Sequence, residues 1–296
     1  MTQNIQTKAP AKPRRKRQNM VIYTLRRMLK NRVSLIGFVI IIAIILACVL
    51  APVLAPYDPD FMDYTAVKAR PCLAHLLGTD HLGRDILSRL LWGGRSSLAL
   101  GFICAIVGMF TGVFFGCLVG YAGGNVDLVV MRLCDIMSAI PGMLLSILIS
   151  AALGPGFGKT ILAMTVGGVP GSIRASRAMA LKEREMEYLE AAKATNCSAM
   201  KTIFRHMMPN IVSPTIVSTT MMIGNSIMSA SGLSYIGLGI QPPAAEWGAM
   251  LSDASKYLMT DPHMIVGPGV AIIITVLAIN MIGDGLRDAL DPKLKD

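Results

Sequence analysis

Residues 33–50 form an unbroken run of 18 residues without a charge. As a helix the run would be about 27 Å long, close to the hydrocarbon thickness of a bilayer. Inside hydrocarbon every backbone polar group must be satisfied by the protein itself, so a chain crossing in this way does so as helices. Composition agrees: 53% of residues are hydrophobic and 16% charged, and the mean hydropathy is +0.55. A soluble domain is about a quarter charged. A disordered chain, a collagen and a small disulfide scaffold are excluded, and an all-α integral membrane protein is expected.

Five further spans are expected over 97–121, 129–153, 160–173, 211–233 and 265–282. The fourth is the weakest, interrupted by Gly167, Gly168 and Pro170. The 32 residues before the first run are long for the charged region of a signal peptide, so the run reads as a retained span. Pro52 and Pro56 end it. The resulting division is a basic cytoplasmic tail (1–32), a first transmembrane helix (33–54), an external loop with a surface helix (55–96), a core of five transmembrane helices (97–288) and a cytoplasmic C-terminus (289–296). The core includes a cytoplasmic loop at 174–209. The surface helix is read from Leu82, Ile86, Leu87, Leu90 and Leu91 at helical spacing, with Trp92.

Charge orients these spans. The net charge is +10, and ten of the 28 Lys and Arg lie between Lys8 and Arg32. The run Pro13-Arg14-Arg15-Lys16-Arg17 could bind nucleic acid, but a basic stretch just before an apolar run is better read as a topology signal beside anionic lipid. With both termini cytoplasmic, the inner segments hold 21 Lys and Arg and the outer segments seven. Omitting the fourth span would put the basic segment 174–205 outside, against the positive-inside rule.

Gly108, Gly112, Gly116 and Gly120 recur every fourth residue in the second span. Such a stripe lets another helix approach closely, in this chain or in another. Asn225 and Asn280 are expected as buried amides that line a pathway or bond to neighbouring helices. Arg132 and Asp135 lie three apart and are expected to pair or to anchor the inner end of the third span.

Enzyme motifs fail on spacing. Gly154-Pro155-Gly156-Phe157-Gly158-Lys159-Thr160 resembles a phosphate loop, but the position requiring the first glycine is Leu153. Gly283-Asp284 lacks the glycine an intramembrane aspartyl protease would need at Met281. Gly232-Leu233-Ser234-Tyr235 is followed by Ile236, so it is not a nucleophile elbow. The six cysteines contain no C-x-x-C pair, which supports neither a disulfide framework nor a metal site. A channel would need a selectivity ring or filter loop, and it would have no use for a long basic loop inside the cell.

That loop carries the first resemblance. Glu190-Ala191-Ala192, then Asn196, then His206-Met207-Met208-Pro209 resemble the E-A-A…G…P loop of ABC importer permeases, with Asn196 in place of glycine. Leu77-Gly78-Thr79-Asp80-His81-Leu82-Gly83-Arg84-Asp85, Gln241-Pro242-Pro243 with Glu246-Trp247-Gly248, and Gly283-Asp284-Gly285-Leu286-Arg287-Asp288 resemble the dipeptide, oligopeptide and nickel branch, most of all its dipeptide C-type permeases. The resemblance implies a type I importer permease in a bacterial inner membrane. It would translocate small peptides, or alternatively nickel or glutathione. Implied partners are a second homologous permease, two ATPase subunits that bind ATP and Mg, an external solute-binding protein and membrane lipid. No nucleic acid and no cofactor in this chain are implied. Glu190, Ala191, Ala192, Asn196 and Pro209 would couple to the ATPase. Asn196 would take the left-handed backbone that the family's glycine supplies, since asparagine visits that region more readily than other side chains.

Overall fold

A computed structural model describes residues 27–290. Those residues contain helices and no β-strand, only an isolated bridge between Thr79 and Asp85. The basic tail before residue 27 and the residues after 290 lie outside the described region. Helix α1 is Arg32–Val49, capped by the Asn31 side chain, which accepts from the Val33 N–H at 3.0 Å. Helix α2 is the single turn Ala51–Leu54, with Pro52 in its first turn. A proline there removes an N–H that has no helical partner anyway.

Helix α3, Ile86–Ala122, is 37 residues long. It starts well before the expected residue 97, so the expected separate surface helix is absent. Residues from Ile86 onward are its first turns. Asp85 caps them by accepting from the Ser88 N–H at 2.8 Å, and Ile86 is buried against a cluster containing Leu98, Trp247 and Met264. Leu82 lies before this helix, and of the residues read as a surface face Ile86 is buried in protein with Leu90 packed beside it.

The expected third span is two helices, α4 (Gly124–Ser138) and α5 (Gly142–Leu153), bent by 78° at the break. Pro141 precedes α5 and keeps an extended ψ of 132°. A residue before a helix can hold this geometry, whereas a helix interior cannot. Helix α6, Phe157–Arg184, runs unbroken through Pro170 and outlasts the expected 160–173 on both sides. Two short helices follow, α7 (Glu187–Ala194) and α8 (Ala199–Lys201). A π-helical turn over Thr202–Met207 leads into α9, Met208–Tyr235. Helix α10 is Trp247–Ser255 and α11 is His263–Leu290.

Among the described residues, four helices are long and apolar enough to cross a membrane, or five with the bent α4–α5 pair counted as one. Helix α6 has the length, but its second half carries Arg174, Arg177, Lys182 and Arg184. The hydropathy of this half, not its geometry, keeps the count below the expected six.

The helices pack through small residues, as membrane interfaces do where lipid tails give no hydrophobic drive between helices. The most extensive pair is α3 with α6. A Cβ on Gly112, Gly116 or Gly120 would stand 2.7, 2.5 or 2.6 Å from the Cβ of Ser172, Ser176 or Ala180. The glycine stripe thus meets a second small-residue stripe at the same four-residue spacing in this chain. Nearer the start of α3, Gly101 seats Ile227 of α9. Gly224 and Gly283 bring α9 and α11 together, and Gly37 and Gly285 do so for α1 and α11.

Candidate functional site

Two openings among the described residues bear on the expected site residues. The first is the segment 185–209, at the end of the bundle where α6 finishes. Helix α7 is fixed by Leu189, which is fully buried with Val113, Cys117, Ala180, Ile203 and Met207. Tyr188 adds a polar clamp: its hydroxyl donates to Glu183 and accepts from the Asn210 amide at 2.8 Å. Partial burial, then the bond to Glu183, push the Tyr188 phenol up to about 12. It therefore stays a neutral donor throughout the physiological range. With Leu189 turned in, Glu190 and Ala191 are exposed and Ala192 is half-buried.

The helix ends at Asn196, whose φ is 53°. The Cys197 N–H bonds back to the Ala192 carbonyl at 3.0 Å, and the Thr195 N–H to the Ala191 carbonyl at 3.0 Å. This six-to-one closure with a left-handed residue is a Schellman ending, so the sequence expectation for Asn196 matches the backbone. An Asn196→Gly variant should resist trypsin at Lys201 and Arg205 as the parent does. Asn196→Val should be cut several-fold faster, because a left-handed L-residue costs roughly 1–2 kcal/mol and valine is among the worst placed to bear it. Equal digestion of the two variants would contradict this account of the turn.

Past the turn, Pro209 sits in the first turn of α9. Ala191, Ala192, Asn196, Lys201, Arg205 and His206 together line an open groove. Of the five motif residues, Ala191, Ala192 and Asn196 line this groove, Glu190 is exposed on the same short helix, and Pro209 lies in the first turn of α9.

The second place is a cavity of about 240 Å³ between α5, α6 and α9. Asn225, expected as a buried amide, is instead exposed; it lines the cavity with Ser226 and Ser229, and Met143, Met164 and Met222 form much of the rest. Gly142 and Gly167 bring α5 and α6 together beside it, where Ser146 donates to the Ala163 carbonyl at 3.1 Å. Asn280 lies outside this lining. It is half-buried on α11 with Oδ1 facing the notch left by Gly224, so it belongs to a helix crossing. Sequence reasoning missed the two serines and three methionines. A small or soft residue in an apolar run gives no sign of which way it faces.

Charged residues in the helices tie elements together. Asp127 of α4 pairs with Arg177 of α6 through both carboxylate oxygens. Asp135 does face Arg132 at 3.8 Å, but Arg174 is closer at 3.2 Å and also donates to the Cys134 carbonyl and the Ser138 hydroxyl.

The motifs at the opposite end form an interlock. Arg84 donates to Asp80 at 2.6 Å. Arg89, 3% exposed, donates to the Pro59 carbonyl, Asp60 and the Pro243 carbonyl. Glu246 is completely buried. It accepts from the Ser97 hydroxyl at 3.0 Å and caps α10 through the Ala249 N–H at 2.8 Å. The Trp247 indole donates to the Leu90 carbonyl at 2.9 Å. These residue types therefore fasten the 55–85 and 237–262 segments onto α3. The phosphate-loop-like stretch is a helix start: Thr160 donates its hydroxyl and N–H to the Gly156 carbonyl, and Gly156 bonds to the Gly239 carbonyl.

Residues 112–296 match the family described as "Binding-protein-dependent transport system inner membrane component". Residues 21–71 match "N-terminal TM domain of oligopeptide transport permease C". The chain is 42% identical over 271 residues to the glutathione transport system permease protein GsiD of Pectobacterium atrosepticum, covering 91% of this chain and 90% of that protein. It is 43% identical over 240 residues to GsiD of Escherichia coli O157:H7, covering 81% and 79%. Among solved structures, a chain of the inward-facing MetNI methionine ABC transporter superposes with a TM-score of 0.56 at 20% identity, covering 69% of this chain and 97% of that one.

Proposed function

The chain belongs to the family of inner membrane components of binding-protein-dependent transport systems and is a permease subunit of an ABC importer; from that premise we propose that it passes small peptides, glutathione among them, into the cytoplasm. The observation that carries the substrate is the 42% identity across nine-tenths of the chain with permeases named for glutathione, itself a tripeptide. The cavity lining supports it. Amide and hydroxyl groups suit a peptide main chain, whereas a divalent nickel ion favours imidazole, which this lining lacks. Uptake of labelled glutathione and dipeptides by cells with and without this gene is the test. Uptake of nickel alone, lost with the gene, would overturn the peptide reading.

Partners follow from the same family. ATP and Mg would be bound by two ATPase subunits, a second permease would complete the pathway, and an external binding protein would deliver the solute. Glu190, Ala191, Ala192 and Asn196 would meet an ATPase. Helix α7 has the form for this role: a short helix held from behind by Leu189, with its small residues turned out. Motion of the ATPases would then be passed through this loop to the bundle as a rigid-body switch.

The proposed topology has six crossings: α1, α3, the broken α4–α5 pair, α6, α9 and α11, with both termini and the 185–209 segment in the cytoplasm. The charge asymmetry of 21 inner to seven outer cations supports it. Cys72 is exposed in the outer loop and should be labelled in intact cells by a membrane-impermeant thiol reagent. In a Cys72→Ser background, Glu190→Cys should be labelled only after permeabilisation. Labelling of residue 190 in intact cells would refute six crossings.

A further inference from the structure

Residues Asn225, Ser226 and Ser229 fall on one side of α9 and enter the same cavity. One to three turns earlier on the same helix, Thr215, Thr219 and Thr220 donate their hydroxyls to the carbonyls of Ile211, Thr215 and Val217. This back-bonding is the ordinary fate of a hydroxyl in an apolar helix. Asn225, Ser226 and Ser229 form no side-chain hydrogen bond with any described residue. Their donors and acceptors are left open to the cavity.

The apolar part of the lining has its own character. Met143, Met164 and Met222 come from three different helices. Met143 is 56% exposed and the other two are half-buried. Met222 reaches toward Gly108, with its methyl 3.3 Å from where a Cβ would stand, so the glycine leaves it room to move. Unbranched thioethers with three rotatable bonds adapt to differing shapes, whereas β-branched side chains are stiff at χ1.

We propose that Asn225, Ser226 and Ser229 hold the main chain of the solute while Met143, Met164 and Met222 receive its side chains, making the three methionines specificity-determining residues. This rests on the peptide reading above. The amides and hydroxyls meet groups that every peptide has. The methionines meet what differs between peptides, and their adaptability is what lets differing side chains through.

The test uses the assembled importer in proteoliposomes with its own binding protein, and reads the ratio of diglycine to dityrosine uptake. A ratio cancels differences in the amount of assembled complex. Combining Met143→Ile, Met164→Ile and Met222→Ile keeps the volume and removes the flexibility. The ratio should rise about tenfold, since a methylene-scale mismatch in an apolar pocket is worth at least that much. Met222→Ile alone, read in the same way, should move it in the same direction by a smaller factor. Ser226→Ala with Ser229→Ala should lower uptake of both dipeptides together and leave the ratio at the parent value. A parent-like ratio in both isoleucine variants overturns the inference, as does a tenfold ratio change in the serine variant. If the parent complex imports diglycine, dityrosine and glutathione no better than empty liposomes, the peptide reading itself fails, and the inference falls with it.

Discussion

A Gly116→Leu chain should leave little folded protein in the membrane. Any Cβ there would stand 2.5 Å from the Cβ of Ser176 and 2.8 Å from the backbone nitrogen of Arg177. Backbone on the far side cannot swing aside as a side-chain tip can. Overpacking one such position typically costs about 1–3 kcal/mol, and leucine adds three more carbons on the same line. Gly108→Ala is the matched control. Its nearest neighbour is the mobile end of Met222 at 3.3 Å, and alanine gains about 1 kcal/mol of helix propensity over glycine. Membrane abundance and detergent melting of the two variants check the contrast. A Gly116→Leu chain as abundant and as heat-stable as Gly108→Ala would show that the α3–α6 seam is not closed.

Ala191→Trp should fold normally and abolish import, by tenfold or more. Ala191 is exposed, so the indole has space in the isolated chain and stability should be close to the parent. The proposed ATPase groove would have no room for it, and a helix seated in a groove depends on close fit. Co-purification with the ATPase subunits and solute uptake, measured together, check this. Parent-like values for both would sink the docking role of α7. Loss of the chain itself would mean that Ala191 is packed within this subunit instead.

The clearest parts of the fold were those where one physical signal acted alone. The uncharged run 33–50 matches α1 to within a residue at each end, because nothing in it competes with the helix and Asn31 stands ready as a cap, whereas the bound at 54 takes in the separate turn α2. The left-handed turn at Asn196 was legible because few residues other than glycine bear that backbone, and asparagine is one of them. Where two signals overlapped, the reading slipped. Apolar character ran continuously over 129–153 while Pro141 broke the geometry, and hydropathy hid a 78° bend. In α6 the reverse happened: Gly167, Gly168 and Pro170 read as an interruption, yet the helix continued into a charged half held by Asp127 and Asp135.

The sites divide in the same way. The groove residues could be found because they lie together in sequence. The cavity could not, because Met143, Met164 and Met222 meet only in three dimensions. The glycine stripe announced a close neighbour without naming it, since four-residue spacing is a property of one helix and its complement at Ser172, Ser176 and Ala180 is sixty residues away. Glu246 and Arg89, which stand in or beside the most family-specific motifs, turned out to be fasteners. A buried carboxylate bonded to a serine and a helix N-terminus serves architecture.

The packing of α1 against α11 has a consequence for how the protein is made. Gly37 lies 2.7 Å, measured from an added Cβ, from the carbonyl of Ala278, and Ser34 meets Gly285. The ribosome delivers α1 well before α11, with Gly37 and Ala278 far apart in the chain. At about 5–20 residues per second, the stretch from Gly37 to Ala278 takes roughly ten to fifty seconds to emerge. Through that interval the first helix sits in the lipid without its main partner, its notch at Gly37 open to any helix that drifts past. The seam between α1 and α11 therefore closes only after α11 has been made. Quality control that inspects α1 too early would find every nascent copy unfinished.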